Sequence, residues 1–190
     1  LAYATTSTDP ATALEIAATR ILRNTSRAAT LGGGGLYASI GAPAAMQARN
    51  CLVAANAATN EGAGVYLANA AALENCTIMS NQAPAGKTAG VWSPDGAPAN
   101  PVVNCIIYDN RAGALAQSNY PAGATLAFTN CCTYPMPSAA TDCITNSPEV
   151  LKAEDFDFSL AAGSPCINAG LRADWMQDAL DLAGRARLDR

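Results

Sequence analysis

The residues that could carry out chemistry in this chain are its cysteines and carboxylates, because the 190-residue sequence contains no histidine. Imidazole is the commonest general base near neutral pH and the commonest protein ligand for metals. Ser-His-Asp and Cys-His catalytic systems therefore cannot be assembled within the chain. The seven cysteines form no Cys-x-x-Cys pair, so the sequence predicts no zinc site and no bound cofactor.

Carboxylates are sparse between residues 14 and 135, where they comprise Glu15, Glu61, Glu74, Asp95 and Asp109. A pectate-lyase-like enzyme needs an acidic cluster to hold calcium and a Lys or Arg base. A glycoside hydrolase needs two carboxylates that face each other within about 5–10 Å. The sequence shows neither arrangement, and we expect no catalytic residue and no metal site.

Composition excludes two classes of partner. The net charge is −4 and the basic residues are scattered singly, so the sequence predicts no nucleic-acid partner. No apolar run approaches the roughly 20 residues needed to cross a bilayer, which predicts no membrane insertion. Leu1 is preceded by no Met or leader, and we expect a processed or excised segment.

The spacing of the cysteines indicates a repeat. Four cysteines follow an asparagine, and these asparagines are separated by 25, 29 and 26 residues. The units that begin at residues 50, 75 and 104 share the pattern N-C-x-[VI]-x-x-N, and Ile16, Thr19, Ile21 and Asn24 occupy the same relative places upstream. Recurrence at 20–50 residues is typical of stacked structural repeats.

A second signal lies between these units, where glycine-rich segments lead into Leu36-Tyr37, Val65-Tyr66 and Val91-Trp92. Short apolar segments joined by Gly, Asn and Pro turns, without a helical stripe, favour strands over helices. The sequence therefore predicts an all-β, right-handed parallel β-helix of about four to five coils over residues 1–135. Residues 136–190 are expected to form an irregular C-terminal cap of the same domain.

Side-chain parity predicts how each coil bends. Position −2 from the asparagine and positions +1 and +3 are all suited to the interior, but −2 and +1 cannot share one unbroken strand, so the chain must bend at the asparagine. Stacked coils should then carry two columns of hydrogen-bonded amides. One column comprises Asn50, Asn75, Asn104 and Asn130, and the other comprises Asn24, Asn56, Asn81 and Asn110.

The cysteines fall into two groups. Cys51, Cys76, Cys105 and Cys131 occupy position +1 and are expected to stack as small buried hydrophobes. Cys132 and Cys143 bracket a Pro-containing loop outside the regular repeat, and a disulfide between them could hold that loop in an oxidising compartment. Cys166 is then expected to be unpaired or buried.

Three aromatic residues form the candidate binding surface. Tyr37, Tyr66 and Trp92 directly follow inward-facing residues in successive coils, so their rings should point outward. Three exposed rings could bind sugar faces or an apolar patch of another protein. The alternative is that they pack beneath the loops at residues 38–47 or 93–100.

The end of the chain carries a family resemblance together with the repeats. Residues 164–170 (SPCINAG) and 181–187 (DLAGRAR) are similar to the segments S-P-C-I-D-x-G and D-L-D-G-x-P-R that end many surface proteins. With the Gly-Gly-Gly-Leu-Tyr and Ile-x-x-Asn signals, they resemble polymorphic outer-membrane proteins and related bacterial right-handed β-helix repeat proteins. Asn168, Ala183 and Ala186 depart from that pattern and do not support an acidic ion site. The resemblance implies an extracellular or bacterial cell-surface location.

We therefore expect a non-catalytic structural or adhesive module of a bacterial surface or secreted protein, with a glycan or a protein surface as its partner. The alternative is a polysaccharide-binding or polysaccharide-lyase-like β-helix. Bare coil ends expose main-chain hydrogen-bonding groups, so end-to-end self-association into a filament is a further expectation.

Overall fold

The computed structural model describes residues 2–5, 13–40, 45–94, 99–114, 117–122 and 125–188. The chain is a parallel β-solenoid of about four turns, which confirms the predicted all-β class. Asp95, the remaining carboxylate of the coil region, lies outside the described residues.

Each full coil contributes short strands to four parallel sheets. Sheet A contains Ala2–Thr5, Leu36–Ile40, Val65–Leu67 and Val91–Trp92. Sheet B contains Ala13–Ala17, Ala45–Arg49, Ala71–Glu74, Asn100–Val103 and Leu126–Thr129. Sheet C contains Arg20–Leu22, Leu52–Ala54, Thr77–Met79, Ile106–Tyr108 and Cys132–Thr133. Sheet D contains Thr25–Ser26, Ala57–Ala58, Gln82–Ala83 and Arg111–Ala112.

The chain after the last coil first follows the coil edge and then leaves it. Isolated parallel bridges join Thr141 to Thr129 and Ile144 to Cys132, so residues 141–144 lie along the edge of the last coil. Further on, Val150–Lys152 and Asp157–Leu160 form an antiparallel pair. Ala153–Asp155 and Asp174–Met176 are single turns of 3-10 helix.

The bend between sheets B and C falls on the asparagine of each repeat. Asn50, Asn75, Asn104 and Asn130 have φ values of 53°, 51°, 53° and 50°, a left-handed conformation that asparagine tolerates better than most residues. The bend allows residues on both sides of the asparagine to face the interior. Leu73 and Cys76, at positions −2 and +1 of one repeat, are both 1% exposed.

The interior column of cysteines contains one member more than the repeat pattern predicted. Cys51, Cys76, Cys105 and Cys131 are buried, and their thiols donate hydrogen bonds to backbone carbonyls at 3.1–3.4 Å. Cys143 adds a further level, because the amide of Cys131 donates to its sulfur at 3.3 Å, as the amide of Cys105 donates to the sulfur of Cys131 at 3.4 Å.

One column of asparagines forms a continuous chain of hydrogen bonds. The side-chain oxygen of Asn56 accepts from both the backbone and side-chain nitrogens of Asn24, at 2.9 and 3.0 Å. The same double link joins Asn56 to Asn81, Asn81 to Asn110, and Asn110 to Asn119. The column thus ends on Asn119, which the repeat pattern did not include.

The other asparagine column differs from the predicted ladder. Within the described residues its one amide-to-amide link is the 3.2 Å bond from Asn104 to the side-chain oxygen of Asn75. Asn50 and Asn104 instead donate to the carbonyls of Leu180 and Leu171, both at 2.8 Å. These amides lie on the outer side of the bend, where carbonyls of the C-terminal segment are within reach.

Replacing Asn81 by Ala should strongly destabilise the solenoid. The change removes the oxygen that accepts from Asn56 and the nitrogen that donates to the Val53 carbonyl at 3.0 Å, all in the buried interior. Because unpaired buried polar groups are costly, we expect the free energy of unfolding to fall by about 3–5 kcal/mol, measured by urea denaturation.

Asn146→Ala is the matched control, because the Asn146 residue is exposed and its side chain makes no hydrogen bond within the described chain. We expect it to change stability by less than about 0.5 kcal/mol. Equal stability of the two variants would contradict a structural role for the column of buried asparagines that contains Asn81.

Candidate functional site

Tyr37, Tyr66 and Trp92 form an aromatic column on the outside of sheet A. Strand pairing aligns Tyr37 with Tyr66 and Tyr66 with Trp92. Ring centroids lie 4.9 Å apart in the first pair and 4.4 Å apart in the second, with interplanar angles of 29° and 32°. Both spacings fall within the range of favourable aromatic pairs. The column therefore both stabilises the sheet and presents a row of rings at the coil spacing.

The rings of the aromatic column are layered on one another and half-buried. Each inner ring face is directed at its neighbour, so the side of the column presents ring edges. Burial raises the pKa of the Tyr66 phenol, with smaller contributions from Tyr37 and Glu61, so this hydroxyl remains protonated at neutral pH. The side of the column can therefore contribute apolar contact and hydroxyl hydrogen bonds.

The backbone beside Tyr66 explains part of its burial. A Cβ atom on Gly32 would lie 2.4 Å from Cδ2 of Tyr66 and 1.8 Å from the Glu61 carbonyl oxygen, so the ring packs where only glycine fits. The loops at 38–47 and 93–100, which could have covered the rings, include residues 41–44 and 95–98, outside the described residues.

The described carboxylates of the coils are all bound by donors. Glu61 accepts from the Thr88 amide at 2.7 Å and forms an ion pair with Lys87 at 3.3 Å. Glu15 pairs with Arg49 at 3.0 Å, and Asp109 accepts from Gln117 at 2.8 Å. In the described part of the chain, no group of three or more Cys, Asp or Glu is arranged to hold a metal ion.

A second surface, the outer face of sheet C, is covered by a C-terminal strap, here defined as residues 148–188. The strap runs back along the stack and bonds to one coil after another. In order along the strap, Leu171 is hydrogen-bonded to Asn104, Trp175 to Glu74, Leu180 to Asn50 and Leu182 to Arg20. A cleft of about 880 Å³ remains between the strap and sheet C.

Burial on both faces of sheet C is the feature that the sequence analysis missed. Leu52 and Cys132 are 7% and 3% exposed, and Ala54 and Met79 are fully buried, although parity directs all four away from the interior. The available signal was that positions +2 and +4 of the repeat also carry apolar residues. A strand that is apolar on both faces is typical of a sheet covered on both sides.

Trp175 holds the middle of the strap. Its indole Nε1 donates to Glu74 Oε1 at 2.6 Å, and Glu74 Oε2 accepts from Arg49 Nε at 3.0 Å. The guanidinium of Arg49 lies 4.8 Å from a ring centroid of Trp175, and that of Arg187 lies 5.5 Å from it. Burial lowers the pKa of Arg187 below its usual value.

The two motifs of the chain end have structural roles within the strap. Asp181 Oδ1 accepts from the amides of Ala183 and Arg185 at 2.8 and 2.9 Å, which closes a tight turn. Burial opposes ionisation of Asp181, but the hydrogen bonds from Arg185 and Ala183 and the charge of Arg185 outweigh it and lower the pKa. Ser164 Oγ donates to the Pro148 carbonyl at 2.5 Å and joins the two ends of the hairpin.

All seven cysteines are free thiols in the structure, including Cys132 and Cys143, for which a disulfide was predicted. The two residues also have different sulfur neighbours. Cys143 belongs to the interior column beside Cys131, whereas Cys132 faces the strap and lines its cleft together with Cys166. Consecutive residues of a strand point to opposite faces, which separates Cys132 from the column that Cys143 extends.

Comparison with protein-family models, curated proteins and solved structures found no match. In the described residues, no helix is long and apolar enough to cross a membrane.

Replacing Trp175 by Ala should open the strap without unfolding the coils. The change removes the hydrogen bond to Glu74 and the ring beneath two guanidinium groups, together worth about 2 kcal/mol. We expect tryptic cleavage after Arg172 to accelerate about 10- to 30-fold, while the β-sheet circular dichroism stays unchanged.

Leu180→Ala is the comparison variant, because that side chain is 56% exposed and the Leu180 residue bonds to Asn50 through its backbone carbonyl. Its cleavage rate should stay near that of the unaltered chain. The same rate in both variants would show that Trp175 does not hold the strap.

Proposed function

We propose that this β-solenoid is a non-catalytic structural and adhesive module of an extracellular bacterial surface or secreted protein. The observation that carries the proposal is that polar side chains of the coils are used to hold the coils together. The interior amides and the described carboxylates of the coils serve as structural partners. The result of this arrangement is a stiff stack that presents a fixed outer surface.

Two further features support an extracellular role. The strap covers the second face of sheet C and shields its main chain, which favours resistance to proteolysis. The SPCINAG and DLAGRAR segments, which carry the resemblance to polymorphic outer-membrane repeat proteins, both form part of that strap. The proposal therefore places this chain among those bacterial β-helix proteins.

The aromatic column is the proposed contact surface, and it favours a second candidate function, polysaccharide binding. Its three rings lie on successive coils, and the centroids of neighbouring rings are 4.9 and 4.4 Å apart. Glu61 lies close enough to influence the phenol of Tyr66 and is paired with Lys87, so charged groups accompany the rings. Ring edges flanked by polar groups can make apolar contacts with a sugar chain and hydrogen bonds to its hydroxyls.

Removing two rings, as Tyr66→Ala with Trp92→Ala, tests the contact surface. If the column binds polysaccharide, affinity for it should fall about 5- to 150-fold, because each ring contact is worth about 0.5–1.5 kcal/mol. The measurement is a pull-down on insoluble polysaccharides followed by titration with soluble fragments of whichever one binds.

Met136→Ala provides the control, since Met136 is an exposed apolar residue outside the aromatic column. Unchanged binding after loss of both rings would remove the column as the contact surface. The same samples are assayed on acidic polysaccharides with and without calcium, and release of unsaturated sugar products would overturn the non-catalytic assignment.

Self-association through coil ends is the remaining part of the proposal. Within the described residues, each strand of the first coil pairs with the second coil alone, whereas the last coil receives residues 141–144. Unpaired edges of this kind favour association with another chain. We therefore expect copies of the chain to associate end to end through their coil ends.

Sedimentation velocity of the full chain over a wide concentration range tests this expectation. Association through the coil ends should give a species larger than the monomer whose fraction rises with concentration. A single monomeric species at every concentration would contradict it.

A further inference from the structure

We propose that Cys132 and Cys166 form a disulfide that fastens the C-terminal strap to the last coil. This inference rests on the extracellular location proposed above, because disulfides persist in oxidising compartments. In the structure both residues are thiols that line the cleft between the strap and sheet C, and they lie close enough for each to shift the pKa of the other.

The directions of the two side chains favour this pair. Cys131 belongs to the interior core, so Cys132 faces outward toward the strap, in the row that pairs with Ile106. Cys166 reaches it from the opposite side. Two cysteines that face each other across a packed interface can bring their Cβ atoms to the separation that a disulfide needs.

The other neighbouring cysteines lack this arrangement. Cys51, Cys76, Cys105, Cys131 and Cys143 follow one another along the stack, and each occupies the same place in its level. Stacked residues project their Cβ atoms in parallel, which is unfavourable for the dihedral angle of a disulfide. The cysteines of the interior cysteine column therefore stay reduced while the Cys132–Cys166 pair is oxidised.

The strap is built to hold Cys166 in place. Ser164 Oγ donates to the Pro148 carbonyl and accepts from the Cys166 amide at 3.2 Å, and Leu171 docks on Asn104 five residues later. On the coil side, the Cys132 thiol donates to the Asn146 carbonyl at 3.2 Å. The backbone of Cys166 and the thiol of Cys132 are thus both held by hydrogen bonds.

The oxidation is a thiol–disulfide exchange with a small disulfide such as oxidised glutathione. Cys166 is more exposed than Cys132, and its interaction with the neighbouring Cys132 thiol lowers the pKa of Cys166, so Cys166 is the attacking thiolate. Its attack forms a mixed disulfide and releases one glutathione thiolate. Cys132 then loses its proton, attacks the Cys166 sulfur and releases the second glutathione, so two protein thiols are oxidised and one glutathione disulfide is reduced.

Peptide mapping of the folded, purified full chain tests the proposal directly. The chain is treated with oxidised glutathione, free thiols are alkylated, and the protein is digested with trypsin without reduction. No Lys or Arg lies between residues 112 and 151, so Cys131, Cys132 and Cys143 share the peptide 112–152, while Cys166 lies in the peptide 153–172. We expect these two peptides to be joined by a bond that reduction cleaves, and fragmentation to place it at Cys132.

Variants give the matched comparison. Cys143→Ser should keep the link, whereas Cys132→Ser and Cys166→Ser should lose it. The oxidised chain should melt about 5–10 °C above the reduced chain, because the bond closes the loop of residues 132–166. A bond within the peptide 112–152, a link from Cys166 to Cys131 or Cys143, or full alkylation of Cys132 and Cys166 would each overturn the proposal.

The oxidation is carried out in the test tube, so its result depends on the positions of the two thiols and not on where the protein is located. A missing link would leave the polysaccharide-binding experiment unaffected. Failure of polysaccharide binding would likewise leave the mapped disulfide standing.

Discussion

The continuous hydrogen bonding of the interior asparagines is the constraint on which the rest of the structure depends. Asn56, Asn81 and Asn110 are fully buried, and each amide links to the next coil and also donates to a carbonyl of the coil before it. Burying an amide is favourable only when its hydrogen bonds are made, so each asparagine fixes the position of both neighbouring coils. The parallel sheets, the cysteine column and the aromatic column all share the spacing set there.

A solenoid with so many small side chains gains further stability from its second layer. The strap lies over the outer row of sheet C, in which Leu52 and Met79 are buried. Burial of a large apolar side chain contributes about 1.5–3 kcal/mol. The strap is therefore more than a cover for a coil end, since it packs along the whole stack from Cys132 to Arg20.

The sequence was sufficient to predict the fold because the repeat is short and its parity is informative. The bend at Asn50 and its equivalents follows from the need to bury both Leu73 and Cys76, and the outward direction of Tyr66 follows from the inward direction of Val65. The strap could not be located in this way, because its contacts join residues that no repeat relates. Cys166 and Cys132 illustrate the limit, since their proximity depends on the path of residues 148–165. The asparagine column that contains Asn50 and Asn104 differs from the predicted ladder for the same reason, because its partners Leu171 and Leu180 belong to the strap.

The path of the strap also sets an order of folding. Neighbouring coils join residues about 25–35 positions apart, whereas strap contacts join residues 67, 101, 130 and 162 positions apart as the strap descends. Contacts at long sequence separation require a larger loss of chain entropy before they form. Coils can therefore assemble while the chain is being synthesised, and the strap docks afterwards, beginning near its anchor at the last coil. Until then the apolar outer row of sheet C is open to solvent, and that interval is when a nascent chain is most exposed to aggregation.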